Sequence, residues 1–260
     1  REAFETVYGM LADDLSKEVF AENINFRLSG DKMRLIKYVD GDTFFDDTLF
    51  QASGRDSYVD VGAYTGDTLL RFYAFCSGKY DKMYAIEPDK ENYQGLQSLV
   101  KMGRLDNVST YNVGGWDCKD TLTFYTANNK NTRGFDSPNF FKGMEETVPS
   151  ACGIGAEDFV EEQIAVDTVD HLLDGNPCTV LKINALAADF EALRGSKATI
   201  KAYKPVIVGE FGARKENLTE MMLFIKECNP NYKLYMRQKM IFGDCKTVFT
   251  AVDDISKGEN

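Results

Sequence analysis

The chain has 260 residues, 43% of them apolar and 27% charged, which suits one large α/β domain with a helical lead-in better than two equal domains. A net charge of −11 with no run of Lys or Arg argues against a nucleic-acid partner, because proteins that bind phosphates present a basic face that displaces counterions. Six cysteines without a CxxC pair, a single histidine (His171) and no stretch long enough to span a membrane lead us to expect reduced thiols, a cytoplasmic location and no metal site.

Residues 2–20 place Phe4, Val7, Tyr8, Leu11, Leu15 and Val19 at helical spacing, which predicts one long amphipathic helix. Helices or short turns are expected to continue to residue 50, so that 1–50 form an N-terminal helical extension and 51–260 the main domain. From Tyr58 the pattern changes. SYVDV is a short, mostly apolar run, GAYTG a glycine-containing turn, and DTLLRFYAF a helix. KMYAIEP reads as a second strand. Pro88 suits the first turn of the helix DKENYQGLQSLVKM, which Gly103 is expected to close. NVSTYNV is a third strand. Strands alternating with helices predict a mostly parallel, doubly wound α/β sheet.

An insertion over 117–178 interrupts that rhythm. DTLTFYTA and part of EEQIAVDTV read as strands, and the Asn-, Gly-, Ser- and Pro-rich stretch 128–156 between them as a loop or lid. His171 falls in a short helix, VDHLLDG, and is read as a surface residue. TVLKI and KPVIVGEF are the expected fourth and fifth central strands, with the helix AADFEALRGS between them. ENLTEMMLFIKECNP is a further helix, and YKLYMR with KTVFTAV a closing antiparallel pair.

The run YVDVGAYTGDT carries the most chemistry. Asp60 lies at the end of a buried strand, Gly62 and Gly66 sit in the turn, and the following helix offers free N–H groups at its start. Such a turn is common by itself. Glu87 adds to it, because doubly wound folds place an acid at the end of the second strand, roughly 20 residues past the turn, against ribose hydroxyls. A carboxylate accepts both hydrogen bonds of a 2′,3′-diol. A solvated strand-end Glu is the bland alternative, and the pairing with the turn weighs against it. NAD and S-adenosylmethionine both use this arrangement. A dinucleotide needs the GxGxxG glycines to seat its pyrophosphate. Here Ala63, Tyr64 and Thr65 separate Gly62 from Gly66, and Asp67 follows, an acid that repels pyrophosphate and suits a cationic sulfonium. Asp60 is expected near the ligand amine. The charge argument favours the methyl donor.

In order along the chain, YVDVGAYTGDT, YAIEPDKENYQGL, NVSTYNVGGWDCKDTLTFY, AVDTVDHLL, TVLKI with DFEALRGS, KPVIVGEF and IKECNPNYKLYMR resemble the FkbM family of methyltransferases, over residues 40–250. The resemblance implies a class I, Rossmann-like methyltransferase fold, S-adenosylmethionine as cofactor, and O-methylation of a sugar or other small hydroxyl compound. It implies cofactor contacts from Asp60, Gly62, Gly66 and Glu87, with Asn112, Val113 and Gly114 along the adenine. Ala63, Tyr64, Asp67 and Pro88 flank these and complete the candidate set. Trp116 is read either as an adenine-stacking ring or as core.

The acceptor half departs from the family pattern. Where members carry K-I-D-x-E-G-x-E, this chain reads KINALAAD: Asn184 and Leu186 replace acids, Ala187 replaces the glycine, and Asp189 alone keeps an acid. Gly212 and Ala213 stand at a Tyr-His pair, and Gln238 at a further histidine. The candidate catalytic groups are Glu210, at the end of the fifth strand, Asp189, which is either a base or a helix cap, and Asn184. Arg214 is a candidate partner of Glu210 or of an anionic acceptor. Two readings follow: an enzyme acting on a small-molecule acceptor, with a glycan foremost, or an impaired relative that binds cofactor or a partner without methyl transfer. A nucleobase methyltransferase, to which Asn184 also points, would continue with Pro-Pro and an aromatic residue to stack a flipped base. Ala185, Leu186 and Ala187 stand there instead.

Overall fold

Asp13 shapes the start of the chain. Its carboxylate accepts the Ser16 amide at 2.8 Å and so caps α2 (Asp14–Ser29). The preceding α1 (Glu2–Met10) ends where Leu11 forms a bridge with Leu234. The single helix expected over 2–20 is therefore two, because a capping side chain competes with the helical backbone at Asp13. Val7, Val19 and Phe20 are buried, whereas Tyr8 and Leu15, expected on the same apolar face, are exposed. The short α3 (Met33–Ile36) follows. The computed structural model describes residues 1–127, 140–141, 159–185, 188–211, 217–241 and 244–253.

The central elements follow in chain order as β1 (Ser57–Val61), α4 (Asp67–Phe75), β2 (Lys82–Ile86), α5 (Lys90–Gly103) and β3 (Val108–Tyr111). After them come the short strand β4 (Gly114–Gly115), β5 (Asp120–Ala127), β6 (Phe140–Phe141) and β7 (Phe159–Asp167). Next are α6 (Val169–Leu173), β8 (Val180–Ile183), α7 (Asp189–Arg194), α8 (Lys197–Tyr203) and β9 (Val206–Glu210). The described chain closes with α9 (Asn217–Cys228), β10 (Tyr232–Ile241) and β11 (Asp244–Asp253).

Seven strands form the main sheet in the order β10-β11-β9-β8-β1-β2-β3. The five from β9 to β3 run parallel, and β10 and β11 run antiparallel. This is the mostly parallel, doubly wound sheet that the alternation of strands and helices predicts. Val59 and Val61 enter the core on one face, with Leu181, Ile183 and helix α9. Tyr58 enters the core on the other, stacked on Phe72 of α4 with ring centroids 4.2 Å apart. Burial on both faces explains why SYVDV reads as a continuous apolar run. Strand order reverses between β1 and β8, the switch point where open α/β sheets leave a crevice outside their carboxyl ends.

Three local expectations shift. Gly103 lies inside α5, and Arg104 takes the left-handed closing position (φ 50°), its N–H reaching the Lys101 and Val100 carbonyls. The helix expected over AADFEALRGS is α7, which stops at Arg194, before Gly195, where a side chain would meet the Trp116 carbonyl at 1.8 Å, and a further helix, α8, follows from Lys197. The third strand stops at Tyr111, because the Asn112 amide turns back onto the Glu87 and Pro88 carbonyls, both at 2.9 Å. From there β4 opens a second sheet, ordered β4-β7-β5-β6. Among the described residues no helix is long and apolar enough to cross a membrane.

Candidate active site

The turn after β1 is built from backbone. Gly62, Tyr64 and Gly66 all have positive φ (76°, 49° and 92°). The amides of Gly62 and Ala63 both reach the Ile86 carbonyl at 3.0 Å, which ties the turn to the end of β2. Gly66 opens α4 and donates its own amide to the Ala63 carbonyl. A Cβ on Gly62 would lie 1.9 Å from the Asn184 carbonyl oxygen, so the loops leaving β1 and β8 touch at the switch point and only glycine fits there.

Glu87 stands at the mouth of this turn. Its carboxylate accepts the Tyr64 amide at 2.8 Å and the Asp89 amide at 3.0 Å. The side chain is buried, and burial pushes its pKa up to about 7 against the lowering pull of those two bonds. The turn and the strand-end acid are thus neighbours in space. Asn112 braces the same corner from behind, and Pro88 contributes its carbonyl to that brace. Val113 packs against the core, while Gly114 lies buried in β4 beside β7. Asp67, at the start of α4, has its pKa raised by burial, with Lys182 pulling the other way and Asp60 adding to the rise. Tyr64 is likewise raised, by burial first and then by Asp67 and Glu87.

Asp60, expected near the ligand amine, sits under the turn. Its Oδ1 takes Lys182 Nζ at 2.8 Å and its Oδ2 takes the Thr68 hydroxyl at 2.5 Å, and the residue is fully buried. Neither Lys182 nor Thr68 was singled out from the sequence. The available signal was a lone lysine in the apolar strand TVLKI, which the β1–β8 register sets directly opposite Asp60.

On the acceptor side, Asn184 follows β8 and donates its amide to the Val61 carbonyl at 3.0 Å. Asp189 begins α7 and is 1% exposed. Its Oδ1 accepts the Ala185 amide at 2.7 Å, and its Oδ2 has no hydrogen-bond partner among the described residues. Burial pushes this carboxyl up to about 8, and Glu210 and Glu191 add to the rise. Glu210 ends β9 and pairs with Lys246 at 3.2 Å. Leu186, Ala187, Gly212, Ala213, Arg214 and the stretch 128–156 lie outside the described residues, apart from Phe140 and Phe141 of β6. Gln238 is buried in β10, accepting from Thr247 at 2.8 Å and donating to Cys245 at 3.1 Å. His171 hydrogen-bonds Asp167 at 2.8 Å with its side chain 60% exposed, and Trp116 packs partly buried beside Phe124, Val166 and Ala188.

The family model described as the methyltransferase FkbM domain matches residues 60–232. No curated protein matches the sequence. The crystal structure of a methyltransferase FkbM from Methylobacillus flagellatus KT is similar with a TM-score of 0.75 at 20% identity, over 96% of this chain and 58% of that one. The chain therefore spans less than two thirds of that protein's length. A precorrin-6y C5,15-methyltransferase from Geobacter metallireducens GS-15 gives a TM-score of 0.45 at 12% identity, over 85% of each chain. An rRNA methylase from Streptococcus thermophilus gives 0.43 at 10% identity, over 77% of this chain and 87% of that one. The first likeness shows the fold, a Rossmann-like methyltransferase sheet.

Proposed function

The chain belongs to the FkbM methyltransferase domain family, and from that premise we propose that it moves a methyl group from S-adenosylmethionine to a hydroxyl of a small molecule, a sugar foremost. The observation that carries this reading is Glu87, buried at the end of β2 and bonded to the amide of Tyr64 inside the glycine turn. Each of its oxygens accepts one backbone amide, which leaves lone pairs on both for a ribose diol. Asp67 and Glu87 give this corner the negative character that a sulfonium requires and a pyrophosphate does not. The residues present thus fit the group. Ala63, Tyr64, Gly66 and Pro88 shape the rim, and Asn112, Val113 and Gly114 are the proposed adenine side.

When bound, the cofactor supplies an already activated methyl group. The chain's part is then to hold an acceptor oxygen in line with it and to take up the proton. Glu210, at the end of β9 and paired with Lys246, is the proposed base. Asp189 is the alternate, and Asn184 orients the acceptor. The proposed cytoplasmic location rests on the irregular cysteine spacing and on Cys76, Cys118, Cys178 and Cys228, which form no disulfide among the described residues.

The sequence KINALAAD favours a second reading, a relative that binds the ligand without transfer. Calorimetry with S-adenosylmethionine and S-adenosylhomocysteine, followed by turnover on a glycan panel, separates the two. Binding with turnover supports the enzyme, and binding with none on any acceptor supports the second reading. Glu87→Gln should weaken binding by about 10- to 100-fold. Wild-type affinity should rise between pH 6 and pH 8, because the Glu87 carboxyl, pushed up to about 7, becomes a carboxylate over that range. A pH-independent affinity, or full binding by Glu87→Gln, would remove Glu87 from the site.

A further inference from the structure

The proposed ligand lies on one side of the glycine turn, and a buried ammonium lies on the other. Lys182 is 1% exposed and sits in β8 directly opposite Asp60. Its Nζ donates to Asp60 Oδ1 at 2.8 Å, to the Gly62 carbonyl at 2.7 Å and to the Val61 carbonyl at 3.4 Å. An ammonium has three protons and accepts nothing, so these contacts use it completely. Through the other oxygen of Asp60 the same cluster reaches Thr68 in the first turn of α4. One charged group thereby joins β8, β1, the turn and α4.

The turn needs holding. It packs three positive φ values into the five residues from Gly62 to Gly66, one of them at Tyr64, where a side chain makes that conformation uncommon. Its geometry fixes where the Tyr64 amide meets Glu87. A donor beneath the Gly62 carbonyl sets that peptide plane, and its positive charge offsets Asp60. We propose that Lys182 is a positioning residue for the cofactor turn, and that Asp60 acts on the ligand only through Lys182, without touching it. The inference rests on the cofactor reading above. It leaves Asp67 and Glu87 as the acids that face the ligand.

A double-mutant cycle tests this by calorimetry with S-adenosylhomocysteine. Asp60→Asn and Lys182→Met should each weaken binding by about tenfold, and the double variant by about tenfold in total rather than a hundredfold. Hydrogen exchange should show the amides of Gly62 and Ala63 less protected in Lys182→Met, a change that a remote loss of stability would not confine to the turn. If Lys182→Met folds poorly, the double variant, which leaves no buried ion unpaired, carries the comparison against Asp60→Asn. A multiplicative loss in the double variant would show that Asp60 meets the ligand independently and would overturn the inference, as would wild-type affinity in Lys182→Met. A wild-type chain that binds neither ligand would overturn the cofactor reading and this inference with it. Variants that bind as tightly as a binding-competent wild type would overturn the inference alone.

Discussion

Asp60 and Asp189 flank the same switch point, and the fold treats the two carboxyl groups in opposite ways. Both are almost fully buried. Asp60 meets an ammonium and a hydroxyl, so both of its oxygens are satisfied. Asp189 meets one backbone amide, and its second oxygen has no partner among the described residues. A buried charge is tolerated when it is paired and hydrogen-bonded, and a buried carboxyl without that support turns neutral. Asp189 follows the second course, its pKa pushed up to about 8. The cofactor side of the crevice is therefore a finished, rigid piece. The acceptor side keeps unmet hydrogen-bonding capacity, which native proteins concentrate where a ligand completes the set.

The sharpest way to break this contrast is to disturb the finished side. Gly62→Ala adds a methyl group 1.9 Å from the Asn184 carbonyl oxygen at a residue with φ 76°. We expect a loss of roughly 3 kcal/mol or more, because left-handed strain adds to a clash with backbone that cannot give way. Gly175 has nearly the same φ, 77°, and nothing within 4 Å of an added Cβ. There the same substitution should cost about 1 kcal/mol, the strain alone. Urea unfolding of the two variants reads the difference, and equal losses would show that the two loops do not meet as described.

A smaller effect sharpens the contrast on the acceptor side. Asp189→Asn keeps an oxygen for the Ala185 amide and removes the ionisable group. Because the native carboxyl is raised from 3.8 to about 8, its stabilising contribution is complete below pH 3.8 and disappears as pH rises through 8. The variant should therefore gain on wild type as pH increases, by on the order of a few kcal/mol at pH 9 and by nothing near pH 4. Melting temperatures across that range check it. A pH-independent difference would mean that Asp189 is already compensated.

The same division governs what could be read in advance. The cofactor turn is a local object: its glycines, the acid behind them and the second strand's Glu87 lie within one β-α-β unit, and their spacing alone put them together. The sheet was legible for a similar reason, since each central strand is short, apolar and bounded by turn residues. The acceptor side was not. Asp189 begins α7 and Glu210 ends β9, in different units of the sheet, and the state of Asp189 depends on burial that no spacing reveals. Lys182 was hidden in the same way, because a lysine inside an apolar strand acquires meaning only when β8 is known to lie beside β1 in register with Asp60. At the N-terminus a regular apolar period outweighed one capping residue, Asp13, that split the helix.

The smallest stability effect is expected at Glu210, and it bears on which acid does the work. Glu210 and Lys246 form a partly exposed pair, with side chains 14% and 32% accessible. Replacing such a pair's acid by an amide costs under about 1 kcal/mol, so Glu210→Gln should fold like wild type. If Glu210 takes the acceptor's proton, kcat on a glycan acceptor should fall by about 10²- to 10⁴-fold with cofactor affinity unchanged. A loss below about threefold would move the role to Asp189, which must first give up the proton that its burial keeps on it. Its rate should then climb as pH rises through 8, where the Asp189 carboxyl gives up its proton. The pH profile of the Glu210→Gln variant thus tests Asp189 as the base, and a residual rate that stays flat through pH 8 would exclude it.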